Sequence, residues 1–234
     1  ARQTLRDADT CLMKVNDLSN LLTGTLDIGV TYSFSPILTE TILGFMKAYP
    51  QVKLNIYYKP MAELMEMLKN RMVDFALAFR PTSDDPEIES HVLFDNHLAV
   101  IVSQDHTLST LSGVNLRELE KWPLALPARG LQARNAFESL AEASASAFKI
   151  KIELNEVNIL LELIKNSRLV TVLAEATVYN AKGIKAIPLI LPLNRMDGCV
   201  HMLRDCYRKK SAIKFIEMLK DSAAVRARVK DWFR

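Results

Sequence analysis

Between residues 24 and 79 the chain alternates strand, helix, strand, helix and strand, and that order leaves few folds open. Leu26, Ile28 and Val30 alternate as a short strand should. Leu38, Ile42, Phe45, Met46 and Tyr49 fall near one face of a helix over 36–49, and Pro50 stops it. Val52, Leu54 and Ile56 alternate as a second strand, and Met61, Leu64, Met65 and Leu68 repeat at amphipathic helical spacing. Val73-Asp-Phe-Ala-Leu-Ala-Phe79 is then the nearly continuous apolar run of a parallel strand covered on both faces. Two successive right-handed crossovers build an open α/β sheet, whose ligands bind beyond the carboxyl ends of the strands.

That edge is where the polar chemistry gathers. Thr31, Tyr32, Ser33 and Ser35 form a hydroxyl-rich corner after the first strand, with Ser35 where a helix N-cap belongs and Pro36 at the first helical position. Free backbone N–H groups and the positive end of a helix dipole suit a small anion such as a carboxylate. Hydroxyls at such a corner also serve simply to cap the helix. The turn Arg80-Pro-Thr82 lies at the same edge after the third strand.

The rest of the chain reads as a second α/β unit. A polar loop over 81–86 precedes strands at 92–94 and 98–102. A short helix near 116–119 leads to a strand at 123–126 and the loop Pro127-Ala-Arg-Gly130. An Ala/Ser-rich helix over 132–146, a strand over 150–154 and a helix over 158–166 follow. Strands at 169–173, 184–187 and 200–204 come next, and the tail from Lys209 is helical. At the other end, Leu5, Ala8, Leu12, Val15 and Leu22 follow a coiled-coil spacing broken at Ser19, read as an interchain seam rather than a helix packed on its own domain.

Composition excludes more than it assigns. Hydrophobic residues at 49% and charged residues at 24% are those of an ordinary globular protein, and no apolar run approaches the roughly 18 residues of a membrane span. The start shows no signal peptide and no initiator Met, as in a fragment or processed form. Three cysteines make no disulfide framework; Cys199 and Cys206, read along one strand, lie roughly 23 Å apart. The net charge of +3 announces no nucleic-acid surface, and the basic residues of the tail interleave with a helical apolar pattern. No Gly-x-Ser-x-Gly, phosphate loop or dinucleotide fingerprint is present. The four histidines are scattered without zinc-ligand spacing. No catalytic residue, metal or cofactor is therefore expected. Asp74, at the start of its strand, reads as a turn cap.

Three segments together resemble the effector-binding domain of LysR-type transcriptional regulators: Gly24-Thr-Leu-Asp-Ile-Gly-Val30, Pro50-Gln-Val-Lys-Leu54, and Leu68-Lys-Asn-Arg-Met-Val-Asp-Phe-Ala-Leu-Ala78. The stretch His97-Leu-Ala-Val-Ile-Val-Ser-Gln-Asp-His-Thr-Leu108 and the segment 116–123 match as well. The resemblance implies an α/β fold of two Rossmann-like subdomains of periplasmic-binding-protein type II, joined by two crossover strands. Residues 1–23 would end the linker helix through which the family dimerises, 24–97 with 203–234 would form subdomain I, and 98–202 subdomain II. The winged helix-turn-helix that reads DNA in this family is absent from the chain.

By the same resemblance a small, carboxylate-bearing effector occupies the interdomain cleft and controls DNA binding. Thr31, Tyr32 and Ser33 would meet it from the first corner, Phe79, Arg80 and Thr82 after the third strand, and Pro127, Ala128 and Arg129 from the second subdomain. Met61 stands where many relatives place Ser or Thr, which points to a partly apolar effector or to a pocket with weak or no binding. Ser167, Arg168, Leu169 and Ala174 also depart from the family's Gly-x-Gly and Pro, and Thr107 replaces a common Pro. The implied partners are the effector, a homodimer or homotetramer, and DNA only through the missing domain, with no membrane and a cytoplasmic location. The competing class is a transporter's solute-binding protein, and behind it an enzyme on the same two-lobed fold.

Overall fold

The computed structural model describes residues 22–142 and 147–229. The seam over 1–22 apart from Leu22, Cys11, the end of the Ala/Ser-rich helix at 143–146, and Trp232 and Phe233 lie outside the described residues. The chain divides into two compact units, one of residues 22–31, 37–94 and 199–229, the other of residues 32–36 and 95–198.

The first unit is a five-stranded sheet in the order β2-β1-β3-β10-β4. Strands β1 (Gly24–Val30), β2 (Val52–Tyr58) and β3 (Phe75–Phe79) come from the alternating opening of the chain. They are joined by β4 (Ile88–Phe94) and β10 (Gly198–Leu203). β1 pairs in parallel with β2, Gly24 facing Val52 through Val30 facing Tyr58, and with β3 on its other side. Parallel pairing sends the carboxyl ends of all three strands to one edge, as the crossover argument requires. All five residues of β3 are buried, in keeping with its unbroken apolar run.

Helices α1 (Ser35–Ala48), α2 (Met61–Lys69), α6 (Lys210–Asp221) and α7 (Ala223–Val229) cover this sheet. Phe45 of α1, Phe75 of β3 and Phe215 of α6 meet with ring centroids 5.1 and 5.8 Å from Phe215. Leu64 and Leu68 of α2 pack with Val73, Ala76 and Ile88. The helix sits so close on β1 that a Cβ at Gly29 would come within 2.7 Å of Leu64 Cδ2.

A polar network pins the strands lower down. Asp74 Oδ2 accepts from the Asp27 N–H (2.9 Å) and from Lys209 Nζ (2.8 Å), while Asp27 Oδ1 accepts from Asn55 and Tyr57. Burial pushes the Asp74 carboxyl above its ordinary value, against the pull of Lys209. Asp74 thus does more than cap a turn: it ties β3 to β1 and to a lysine 135 positions later.

The second unit holds a three-stranded antiparallel sheet in the order β8-β5-β9 and a parallel pair β6-β7. Its strands are β5 (Leu98–Ser103), β6 (Pro123–Pro127), β7 (Lys149–Leu154), β8 (Thr171–Ala174) and β9 (Ile184–Pro188). Its helices are α3 (Leu116–Leu119), α4 (Gln132–Glu142) and α5 (Val157–Lys165). Ala125 donates to Val170 and Val170 to Pro123, which links β6 to the segment entering β8. Asn194 exchanges two hydrogen bonds with the Leu98 backbone and fixes the start of β5.

Four expectations change. The corner after β1 is a 3-10 turn, Tyr32–Phe34, running straight into α1, so Ser35 is a helical residue whose hydroxyl donates to Tyr32 O (2.8 Å) rather than standing ahead of the helix as its cap. Tyr32–Pro36 group with the second unit, because that turn packs on the 3-10 turn Glu175–Val178. β10 lies entirely in the first unit's sheet, although a boundary at 202/203 would cut through it. Cys199 is buried in β10 while Cys206 follows the strand in the turn that Asp205 (φ +56°) makes, so the two do not share a strand.

Candidate functional site

In the first unit, the residues singled out at the sheet edge sit at three neighbouring strand ends. Thr31 follows β1, Arg80 follows β3, and Met61 opens α2 after β2. Thr31 continues the ladder, its N–H donating to Leu77 O at 2.9 Å. Thr31 is 8% exposed, and its Oγ1 is buried without a hydrogen-bond partner among the described residues. Met61 is half-buried, Arg80 and Thr82 are exposed, and no side chain caps the start of α2. Phe79 differs from its neighbours: it is 1% exposed and belongs to the core of β3. The alternation of a strand buried on both faces leaves an aromatic there no route to the edge.

Beneath Arg80 lies a histidine that its scattered position in the sequence concealed. His201 in β10 has no accessible surface; its Nδ1 lies 2.8 Å from Ser90 Oγ and its Nε2 3.3 Å from Ala78 O. A carbonyl only accepts, so Nε2 carries the proton and Nδ1 takes that of the Ser90 hydroxyl. Burial, helped by the nearby Arg80 charge, lowers the His201 pKa to about 4 and keeps the ring neutral. The signal in the sequence was a histidine inside an apolar strand, Cys199-Val-His-Met202; its partners, 111 and 123 positions away, were out of view.

The second unit holds the other residues. Tyr32 and Ser33 are half-buried in their 3-10 turn. Pro127 is the last residue of β6 and buried, Ala128 is half-buried and Arg129 exposed. The loop is anchored at each step: Ala128 N donates to Leu154 O (2.8 Å) and Gly130 N to Asn135 Oδ1 (3.1 Å). Gly130 makes the turn with φ +90°, a conformation that disfavours any side chain. Arg134 of α4, 1% exposed, donates to Pro127 O (3.1 Å), and Glu138 accepts from both Arg134 and Arg129. Burial works to raise the Glu138 carboxyl, but the two arginines outweigh it and hold it below the usual range. Nothing in the sequence distinguished Arg134 or Glu138 from surface charges of a helix.

Among the described residues no group of three His, Cys, Asp or Glu side chains could hold a metal ion, and no helix is long and apolar enough to cross a membrane. The chemistry on offer is recognition: hydroxyls, backbone N–H groups and arginines at strand ends.

The HTH-type transcriptional regulator cbl of Escherichia coli (strain K12) is 27% identical over 139 residues, 59% of this chain and 44% of that protein. The chain thus spans about half the length of the curated relatives it matches. The regulatory domain of CcmR from Synechocystis PCC6803, solved in complex with 2-PG, superposes with a TM-score of 0.74 at 17% identity, covering 85% of this chain and 97% of that one. The effector-binding domain of QuiR in complex with shikimate gives 0.70 at 18% identity, covering 89% and 98%. These likenesses establish the fold, two α/β subdomains of the type II periplasmic-binding-protein kind. The family model described as the LysR substrate binding domain matches residues 19–224, and the chain belongs to that family.

Proposed function

We propose that this chain is the ligand-sensing part of a LysR-type transcription regulator and that it binds a small organic acid. Thr31 carries the proposal. A buried hydroxyl without a partner costs about 1–3 kcal/mol, and a ligand carboxylate accepting its proton would remove that cost. The Thr31 hydroxyl is such a group, placed where open parallel sheets take their ligands. Arg80 brings positive charge to the next strand end. Within the second unit, Tyr32, Ser33 and the loop Pro127, Ala128 and Arg129 are the groups assigned to the ligand. Phe79 and Thr82 flank Arg80, Phe79 from within the core. Met61, opening α2, favours an acid with an apolar portion.

The relatives support this reading over a transporter's solute-binding protein or an enzyme. The curated ones are named transcriptional regulators, and two of the similar structures hold 2-PG and shikimate, the latter a carboxylic acid. In the whole protein, a ligand favouring one state of this domain would bias DNA binding by a separate helix-turn-helix domain within a cytoplasmic homodimer or homotetramer.

A thermal-shift screen of small carboxylates tests the proposal. An acid present at a hundred times its Kd contributes about 2.7 kcal/mol, which raises Tm by roughly 5–10 °C in a chain of this size. Thr31→Val keeps the shape and removes the hydroxyl, so the same acid binds it about tenfold or more weakly. Equal stabilisation of wild type and Thr31→Val by that acid contradicts the assignment.

A further inference from the structure

Arg134 is the bulkiest fully buried side chain among the described residues, and a buried guanidinium must find acceptors for its donors. Nη1 donates to Pro127 O (3.1 Å), Nη2 to Glu153 Oε1 (2.9 Å), and Nε to Glu138 Oε1 (2.9 Å). Each of its three nitrogens thus has an acceptor. Yet the same Glu138 oxygen also accepts from Arg129 Nε at 3.2 Å, reaching back from the loop after β6. Arg129, Arg134, Glu138 and Glu153 therefore form a charge-balanced group tying that loop to α4 and β7.

The Arg129 side chain is 77% exposed, and among the described residues it bonds only through Nε, to Glu138. Its Nη1 and Nη2 have no partner among the described residues. A guanidinium held by Nε keeps its two terminal nitrogens as a planar fork, the geometry that grips a carboxylate or phosphate with two parallel hydrogen bonds. We propose that Glu138, itself fixed by the buried Arg134, is a positioning residue for Arg129: it holds Nε and presents Nη1 and Nη2 as a preset fork for the ligand's oxyanion. This deepens the organic-acid reading above and rests on its assignment of the 127–129 loop to the ligand. Arg134 acts one step further back, through Glu138 and the Pro127 carbonyl. The gain is preorganisation: a long side chain already immobilised loses less freedom on binding, worth about three- to tenfold in affinity.

The test follows the side-chain Nε–H resonance of Arg129 in the 15N-labelled chain, assigned through its loss in Arg129→Lys, while inorganic phosphate is titrated as the oxyanion probe. Glu138→Asp keeps the charge but withdraws the carboxylate by one methylene, which separates geometry from net electrostatics. The expected result is a saturable shift in wild type, binding three- to tenfold weaker in Glu138→Asp, and an Arg129 resonance moved to that of a solvated arginine before phosphate is added. Equal or tighter binding by the variant, or an unmoved resonance, overturns the positioning role. If the amide spectrum shows that Glu138→Asp has lost its fold, Glu138→Gln is read by the Arg129 resonance alone, and no movement overturns the proposal. Absence of a saturable shift in wild type overturns instead the assignment of the loop to an oxyanion, a failure distinct from loss of the positioning role.

Discussion

His201 enters the core neutral, and its folded pKa of about 4 lies well below the unfolded value of 6.5. A lowered pKa means that the unfolded chain binds the extra proton first. The stability that burial of the neutral ring contributes is therefore intact above pH 6.5 and is lost as pH falls from there toward 4. At about 1.4 kcal/mol per pKa unit the loss reaches about 3 kcal/mol. Urea unfolding at pH 7.5 and pH 4.5 measures it, and His201→Gln should flatten most of that slope. His106, also lowered by burial, acts in the same direction and keeps its part in the variant. The buried guanidinium is the other costly residue. Arg134→Met removes the cation that Glu138 and Glu153 share and the donor to Pro127 O, and urea unfolding should show a loss of about 1–3 kcal/mol. His201 stood out in the sequence only as a histidine inside an apolar strand, and Arg134 not at all. The strand ends that carry Thr31 and Arg80 were legible, because a strand end is a local pattern. His201 and Arg134 gain their meaning from acceptors on other elements, such as Ala78 O and Glu153, which no local window contains.

At the scale of elements, β1 and α2 are in such close contact that Gly29 is the only residue type that fits without displacing the Leu64 methyl 2.7 Å from where a Cβ would stand. Gly29→Ala should destabilise by about 1–3 kcal/mol in chemical denaturation, the usual cost of overpacking. Combined with Leu64→Val, the pair should cost less than the sum of the two single changes, because shortening the leucine makes room. The crossover pattern β1-α1-β2-α2-β3 was legible from periodicity alone, down to the buried run of β3. The corner at Tyr32–Phe34 was not, since a 3-10 turn and a capped helix start carry the same hydroxyls and differ in whether the serine oxygen accepts from a backbone N–H ahead or, as for Ser35, its hydroxyl donates back to the Tyr32 carbonyl. The strand β10 is legible in the sequence, but its sheet is not, and the boundary at 202/203 runs through it, because its neighbours β3 and β4 precede it by more than a hundred residues.

For the whole molecule, order and spacing of elements carried the family resemblance that the match over residues 19–224 bears out. What a pattern of elements cannot encode is the ligand, which depends on a few side chains rather than on the order of strands and helices. Amide chemical-shift mapping tests most directly whether a small organic acid binds at the strand ends. The carboxylate that gives the largest thermal shift is titrated into the 15N-labelled chain. The largest shifts are expected at the amides of Thr31, Tyr32 and Ser33, of Arg80, and of Ala128, Arg129 and Gly130. Saturable shifts confined to other surfaces, such as the 189–197 segment, with those amides unmoved, would contradict it.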